Sequence, residues 1–130
     1  MSGETNLTKL LKTLKPTHVT GDYVFCSVDS LESYDLNEIV SSCRETEGIS
    51  IIVRKEYADK HHLLYSSVMA WITLTVHSSL DAVGMTATFA KALAEEGISC
   101  NVVAAFYHDH IFVGKYDLAK ALKAIDNLGG

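Results

Sequence analysis

The segment LTVHSSLDAVGMTATFAKALAEEGISCNVV, Leu74–Val103, contains the succession of elements that decides the fold. It opens at the end of MAWITLTVH, where apolar and polar residues alternate as in a strand with one buried face. A polar loop follows, and Ser79 or Asp81 is expected to cap a helix that runs to about Glu96. Gly97 then ends the helix, because glycine readily adopts the left-handed conformation that is common after a helix. The segment therefore predicts a strand, a helix and a second strand in that order.

The remainder of the second half completes a compact unit. The inner face of the predicted helix is formed by Val83, Ala87, Ala90 and Leu93. Downstream, ISCNVVAAFY and HIFVG have the composition of two strands, and His108–His110 between them is predicted to be the turn of a hairpin. A final helix, Asp117–Leu128, places three apolar residues on one face: Leu118, Leu122 and Ile125.

The first half predicts a similar succession. Asn6–Lys15 has leucines at helical spacing, which indicates a short amphipathic helix. Thr20–Asp22 predicts a turn before the strand Tyr23–Val28, and DSLESYDLNE predicts a loop with one helical turn. IVSSCRE and ISIIVRK predict a hairpin whose tight turn needs Gly48, and EYADKHH predicts a short helix.

Both halves match the ferredoxin-like unit, in which the order is βαββαβ and two helices cover one face of an antiparallel sheet. We therefore expect an α+β fold with two such units after a short N-terminal helix, divided into residues 1–70 and 71–130. The strand at residues 71–77 counts in both halves, so the second unit lacks a last strand of its own. Either the units share or exchange a strand, or one unit is incomplete.

Composition excludes several classes of protein. The chain has 130 residues, 48% of them hydrophobic, and a formal net charge of -5 with no basic stripe, which argues against nucleic acid as a partner. No apolar run approaches the roughly 20 residues of a membrane helix, and no secretory leader opens the sequence, so we expect a cytoplasmic protein. The 3 cysteines, Cys26, Cys43 and Cys100, are far apart, which favours free thiols over a disulfide framework.

The segment Leu74–Val103 resembles the first strand, loop, helix and second strand of ACT domains, which are small regulatory modules that bind amino acids. It looks most like those at the end of aspartate kinases, in which a similar ALAEEGI helix end leads into a strand that begins with Asn. The whole chain, including GDYVFCSV, RETEGIS and HDHIFVG, is similar to a stand-alone bacterial family of paired ACT-like units with no attached enzyme. The resemblance implies ligand sensing by a protein without catalytic activity or cofactor.

The resemblance also implies where a ligand binds. The loop before the long helix ends at a helix N-terminus, whose unpaired N–H groups and partial positive charge suit the carboxylate of a free amino acid. Asn101 is the second candidate, because the start of its strand faces a partner's loop in ACT pairs. The loop and Asn101 lie at opposite ends of one unit, so a ligand that touches both must sit between two units, in one chain or across a homodimer or homotetramer. The expected ligand-binding residues are Ser78, Ser79, Asp81, Val83, Gly84, Met85, Asn101 and Val102.

The histidines offer an alternative. In an extended strand, a His-x-His pair directs both imidazoles to one face, so His77, His108 and His110 are candidate ligands of a metal sensor or metal-dependent enzyme. If the turn is centred on His108 and Asp109, the two imidazoles diverge instead. His61 and His62 are expected to face solvent. A third possibility is an interaction module that binds no small ligand.

Overall fold

The computed structural model describes residues 7–75 and 84–129. The helices within these ranges are α1 (Leu7–Thr13), α2 (Lys55–Lys60), α3 (Met85–Glu95) and α4 (Leu118–Asp126). The strands are β1 (Lys15–Val28), β2 (Ile39–Arg44), β3 (Ile49–Arg54), β4 (Met69–Thr75), β5 (Asn101–Ala104) and β6 (Asp109–Gly114). These elements confirm the α+β prediction and the short N-terminal helix. His77 and most of the predicted ligand loop, residues 78–83, lie outside the described residues.

The chain forms two compact units. Unit N is Thr20–Met69, and unit C is Met1–Val19 together with Ala70–Gly130. Unit C is therefore discontinuous in sequence, with its first residues separated from the remainder by the whole of unit N.

Unit N is an antiparallel sheet in the order β2-β3-β1. The register places Tyr23 opposite Arg54 and Val28 opposite Ile49, with an irregularity in β2 between Ile39 and Ser41. Alternate residues of β1 and β3 point to one face, where α2 covers them, as the strand period requires. The buried cluster on this face consists of Val24, Cys26, Val28, Ile51, Val53, Tyr57 and Ala58.

Unit C has the strand order β1-β4-β6-β5, with Asn101 opposite Phe112 and Ala104 opposite Asp109. Helices α3 and α4 pack against each other, and α1 contacts α3. The larger core of the chain lies here and contains Leu14, Ala70, Ile72, Leu74, Met85, Phe89, Leu93, Ile98, Ile111, Val113, Ala121 and Ile125.

Strand β1 supplies the last strand that the second half of the sequence lacks. The predicted turn at Thr20–Asp22 is wrong, because β1 continues through it from Lys15 to Val28. Gly21 adopts φ 120°, and Tyr23, whose hydroxyl donates to the carbonyl of Thr20 at 3.0 Å, packs its ring over that glycine. The first residues of β1 belong to unit C, where β1 is the neighbour of β4. The last strand of unit C therefore comes from the beginning of the chain.

Helix α3 also starts later than its sequence predicts. Its N-cap is Gly84, which adopts the left-handed conformation with φ 90° and makes no side-chain capping hydrogen bond. The N-cap residue of α3 is therefore Gly84 instead of the expected Ser79 or Asp81, which lie outside the described residues. Phe89 is buried on the inner face, whereas Ala87, expected there, is exposed.

The C-terminal end of α3 follows the prediction. Gly97 adopts φ 73°, and the N–H of Ile98 donates to the carbonyl of Leu93 at 2.9 Å, as in a helix terminated by a left-handed glycine. Within residues 7–75 and 84–129, no helix is long and apolar enough to cross a membrane.

Candidate functional site

The first candidate feature is the start of α3 in unit C. The carbonyl of Gly84 accepts hydrogen bonds from the N–H and the hydroxyl of Thr88, at 2.9 and 2.7 Å. Gly84 has no side chain that could cap the N–H groups preceding Thr88 in the helix. Met85 is buried and anchors this turn to the core. The arrangement leaves donors and a partial positive charge at the helix end, which suits an anionic group.

Asn101 is fixed at the start of β5. Its side-chain amide Nδ2 donates to the carbonyl of Phe112 at 3.1 Å, and this bond identifies which end of the amide is the nitrogen. The oxygen Oδ1 has no hydrogen-bond partner among the described residues. Val102 points the other way, and its partly buried side chain packs against the core of unit C.

The structure separates these two features within unit C. Gly84 precedes α3 and Asn101 follows it, and a helix of 11 residues is about 16 Å long. Unit C alone therefore does not bring Gly84 and Asn101 to one ligand. Ser78, Ser79, Asp81 and Val83 are outside the described residues.

The hairpin turn near the histidines differs from its prediction. The turn is Ala105–His108, closed by a hydrogen bond of 3.0 Å from the N–H of Ala105 to the carbonyl of His108. Asp109 and His110 are instead the first residues of β6. Two exposed aromatic residues, Phe106 and Tyr107, form the tip of the hairpin in place of the His-Asp-His segment.

His110 is held by side chains from β4. The indole Nε1 of Trp71 donates to Nδ1 of His110 at 3.0 Å, and the Thr73 hydroxyl lies 3.1 Å from the same nitrogen. Because an indole nitrogen can only donate, Nδ1 of His110 must be unprotonated. The neutral imidazole then carries its proton on Nε2. Strand alternation directs Trp71, Thr73 and His110 to the sheet face opposite α3 and α4, a signal that the sequence pattern contained.

Burial and nearby charges alter the protonation of this region. Burial, and to a lesser extent the neighbouring His108, lower the pKa of His110, while Asp109 opposes this effect. Burial raises the pKa of Asp109, and the charge of His110 partly offsets that rise. The rings of His108 and His110 are perpendicular, with centroids 6.3 Å apart. Nδ1 of His108 is buried without a hydrogen-bond partner in the part of the chain that the structure describes.

The metal alternative meets a chemical obstacle at His110. Its Nδ1 lone pair already accepts the Trp71 proton, and its Nε2 carries a proton, so neither nitrogen is available to a metal without loss of the Trp71 bond. Across the described ranges, no group of three His, Cys, Asp or Glu side chains has the geometry of a metal site. His77, the third proposed ligand, lies outside those ranges.

One histidine of unit N also differs from its prediction. His61 was expected to face solvent together with His62, but it is half-buried against two tyrosines. Its ring centroid lies 4.3 Å from that of Tyr57 and 5.5 Å from that of Tyr34. His62 is exposed, as expected, with φ 57°.

Comparisons with known proteins agree with this architecture. Residues 2–70 match one family model described as an ACT domain, and residues 66–127 match a second ACT-domain model. A protein of unknown function from Vibrio cholerae, described as a possible transport protein, is 45% identical, with a TM-score of 0.88 over 95% of this chain and 96% of that one. A search of curated protein sequences found no match.

Two more distant structures share the fold. A protein from Agrobacterium tumefaciens is 21% identical, with a TM-score of 0.67 over 89% of each chain. An aspartate kinase from Clostridium acetobutylicum, described as an allosteric enzyme, is 13% identical, with a TM-score of 0.65 over 90% of this chain and 34% of the kinase. At these identities the likeness concerns the fold alone.

Proposed function

Because the chain belongs to the ACT-domain family, with two such domains in tandem, we propose that it binds a free amino acid and acts as a regulatory sensor. The observation that carries the proposal is the start of α3, where the N-cap residue is Gly84, which has no side chain to cap the first turn of the helix. The ligand carboxylate accepts hydrogen bonds from this turn, because its charge is complementary to the helix end. The loop at residues 78–83 supplies the remaining contacts.

The ligand ammonium group is assigned to the second half of the site. The Oδ1 of Asn101 is an acceptor, so it suits a cationic donor better than a carboxylate. Asn101 is at the far end of α3 from Gly84 in its own unit, so the Asn101 that meets the ligand comes from a second copy of the chain. The proposed sensor is therefore a homodimer or a homotetramer, and no chemical reaction is assigned to it.

Binding regulates by population shift. A ligand that contacts two copies stabilises the one relative orientation in which both contacts form, and it does so only to the extent of its differential affinity. A partner protein then recognises that orientation.

The experiment is a thermal-shift screen of the purified protein against the common amino acids, followed by calorimetry on any hit. A specific amino acid should raise the midpoint, and Asp81→Ala or Asn101→Ala should reduce the effect. The matched pair is Gly84→Ala and Gly97→Ala, because both glycines adopt positive φ at an end of α3 and both variants should cost about 1 kcal/mol of stability. Only Gly84→Ala should weaken ligand binding.

Three results would contradict the proposed function. If no amino acid raises the unfolding midpoint at millimolar concentration, amino-acid sensing is contradicted. An equal loss of ligand affinity in Gly84→Ala and Gly97→Ala would show that the ligand does not bind at the start of α3. A protein that stays monomeric by light scattering with ligand present would overturn the assignment of Asn101 to a second copy.

A further inference from the structure

The N-terminal arm, residues 7–19, consists of α1 and the first part of β1 and belongs to unit C. The chain passes between the two units twice, after Val19 and after Met69. The first passage joins the arm to unit N, and the second joins unit N to the remainder of unit C. The arm is therefore held in unit C by non-covalent contacts alone.

Three leucines hold the arm in unit C. Leu14 is 6% exposed and belongs to the core, and Leu7 and Leu11 pack against that core while partly buried. A Cβ built on Gly84 would lie 3.4 Å from Cδ2 of Leu7, and one built on Gly129 would lie 2.7 Å from the carbonyl oxygen of Leu11. All of these contacts are made to unit C, which has the same surface in every copy of the chain.

The hinge of the arm is Thr20–Asp22. Gly21 has φ 120°, a conformation that residues with a Cβ rarely adopt. A Cβ at Gly21 would first meet the ring of Tyr23 at an ordinary contact distance of 3.4 Å, so the constraint at this position comes from the backbone and not from crowding. The Tyr23 hydroxyl donates to the carbonyl of Thr20 at 3.0 Å and closes the hinge around Gly21. Thr20 and Gly21 are exposed, so a change of conformation there uncovers no core.

An arm that leaves its own unit C fits the unit C of a second copy. Lys15, Thr17 and His18 are exposed on the arm, whereas its leucines need an apolar surface to cover them. The surface that the arm vacates needs the same cover, because it loses Leu14 from the core. A second copy meets both needs, since exchange of an identical element keeps every contact of the arm outside the hinge.

We propose that the arm is exchanged between two copies of the chain, so that the arm of each copy completes unit C of the other. Gly21 keeps its positive φ while the arm is docked on its own unit C, and it becomes extended with negative φ when the arm reaches the second copy. Both arms are exchanged, so the assembly closes as a dimer. The exchange uses only the arm, the hinge and the core of unit C, so it does not depend on the ligand proposed at α3.

The test is an isotope-filtered nuclear Overhauser experiment on ¹³C-labelled and unlabelled full-length protein incubated together at millimolar concentration. It detects protons of one copy that lie close to protons of another. The expected result is a set of contacts between the Leu14 methyl groups of one copy and unit C of the other, growing with protein concentration. Leu14 is the reporter because it is buried, so a copy docked on the outside of unit C cannot reach it.

Gly21→Val should raise the exchanged fraction at least about tenfold, because a β-branched residue is strained at positive φ and opening of the hinge removes that strain. The matched control is Gly97→Val. Gly97 has φ 73°, and a Cβ there meets nothing within 4 Å, so this variant strains the backbone away from the hinge. It should leave the exchanged fraction unchanged.

Tyr23→Phe tests the hinge without a change at glycine, and it carries the test if circular dichroism shows that Gly21→Val does not fold. It removes the hydrogen bond to Thr20 that closes the hinge, so the exchanged fraction should rise. Tyr65→Phe is the control, because it removes a tyrosine hydroxyl that donates to Asp59 at 2.7 Å, away from the hinge.

Three results would overturn the proposal. Leu14 contacts that remain within one copy at millimolar concentration, in the natural protein and in the hinge variants, would show that the arm stays in its own unit C. An equal rise of the exchanged fraction in Gly21→Val and Gly97→Val would attribute exchange to general destabilisation. Contacts between copies that leave out the arm would show that the copies associate through another surface.

Discussion

The indole of Trp71 on β4 donates to Nδ1 of His110 on β6 across 3.0 Å, and the two rings meet edge to face with centroids 5.6 Å apart. The same indole stacks on Phe112, which is completely buried. One hydrogen bond thus selects a single protonation state of His110 on a largely apolar face of the sheet.

Trp71→Phe should lower the free energy of unfolding by about 1 kcal/mol, because it removes the hydrogen bond to His110 and keeps an aromatic ring against Phe112. Trp71 is the only tryptophan of the chain, so the variant has no tryptophan fluorescence to follow. Urea denaturation monitored by circular dichroism therefore measures the change in the free energy of unfolding. A double-mutant cycle with His110→Phe tests the pairing. Strictly additive effects would show that the two residues are not coupled.

Stability should fall as the pH decreases from 6.5, the unperturbed pKa of histidine. Because the pKa of His110 is lowered in the folded protein, the unfolded chain binds a proton at this residue at a higher pH than the folded chain does. The stabilisation is complete above pH 6.5 and is lost as pH falls through the folded pKa. Unfolding free energies measured across this window should depend less on pH in His110→Gln than in the natural protein. The exposed His62→Gln should retain the full dependence.

Asp109→Asn should stabilise the folded protein at neutral pH. The raised pKa of Asp109 reflects burial of a carboxylate, so its contribution to stability is present below pH 3.8 and is lost as pH rises through the folded pKa. An amide of the same shape avoids that loss. The advantage over the natural protein should disappear in acid, and the exposed Asp29→Asn should show no such pattern.

Phe89→Ala should destabilise by about 3 to 5 kcal/mol, because it opens a cavity in the core of unit C. Phe106→Ala is the matched control, because Phe106 is 76% exposed at the hairpin tip. The control should change the free energy of unfolding by less than about 0.5 kcal/mol. Comparable losses in the two variants would contradict the burial of Phe89.

Gly129→Ala should loosen the N-terminal helix. A Cβ at Gly129 would lie 2.7 Å from the carbonyl oxygen of Leu11, so α1 must move. Faster hydrogen exchange in α1 is the expected result. Gly97→Ala, where a Cβ meets nothing within 4 Å, should leave exchange in α1 unchanged.

The sequence predicted the order of elements well because hydrophobic periodicity is strong in most of them. The resemblance to ACT pairs and to the regulatory domains of aspartate kinases is confirmed by the matches to both halves and by the shared fold. The turn at Thr20–Asp22 failed because a glycine with positive φ inside a long strand has the same local composition as a turn. The cap of α3 failed for a related reason, since Gly84 provides no side chain that a capping pattern could detect.

The site was less predictable, because its contacts join residues distant in sequence. Trp71 and His110 are separated by the whole of α3 and β5, and only the register of the sheet brings them together. The assignment of the ligand to Asn101 and the loop at residues 78–83 stays a prediction.

Strand β1 has a consequence for the order in which the protein folds on the ribosome. Unit N, Thr20–Met69, is complete in the growing chain long before residues 101–129 have been made. Unit C is complete only when those residues have been made, although the first residues of its strand β1 are synthesised before unit N. Domains generally fold as units while the chain emerges. The first residues of β1 therefore present an unpaired strand edge in the growing chain until their neighbour β4 has been made, and during that interval another strand can pair with them.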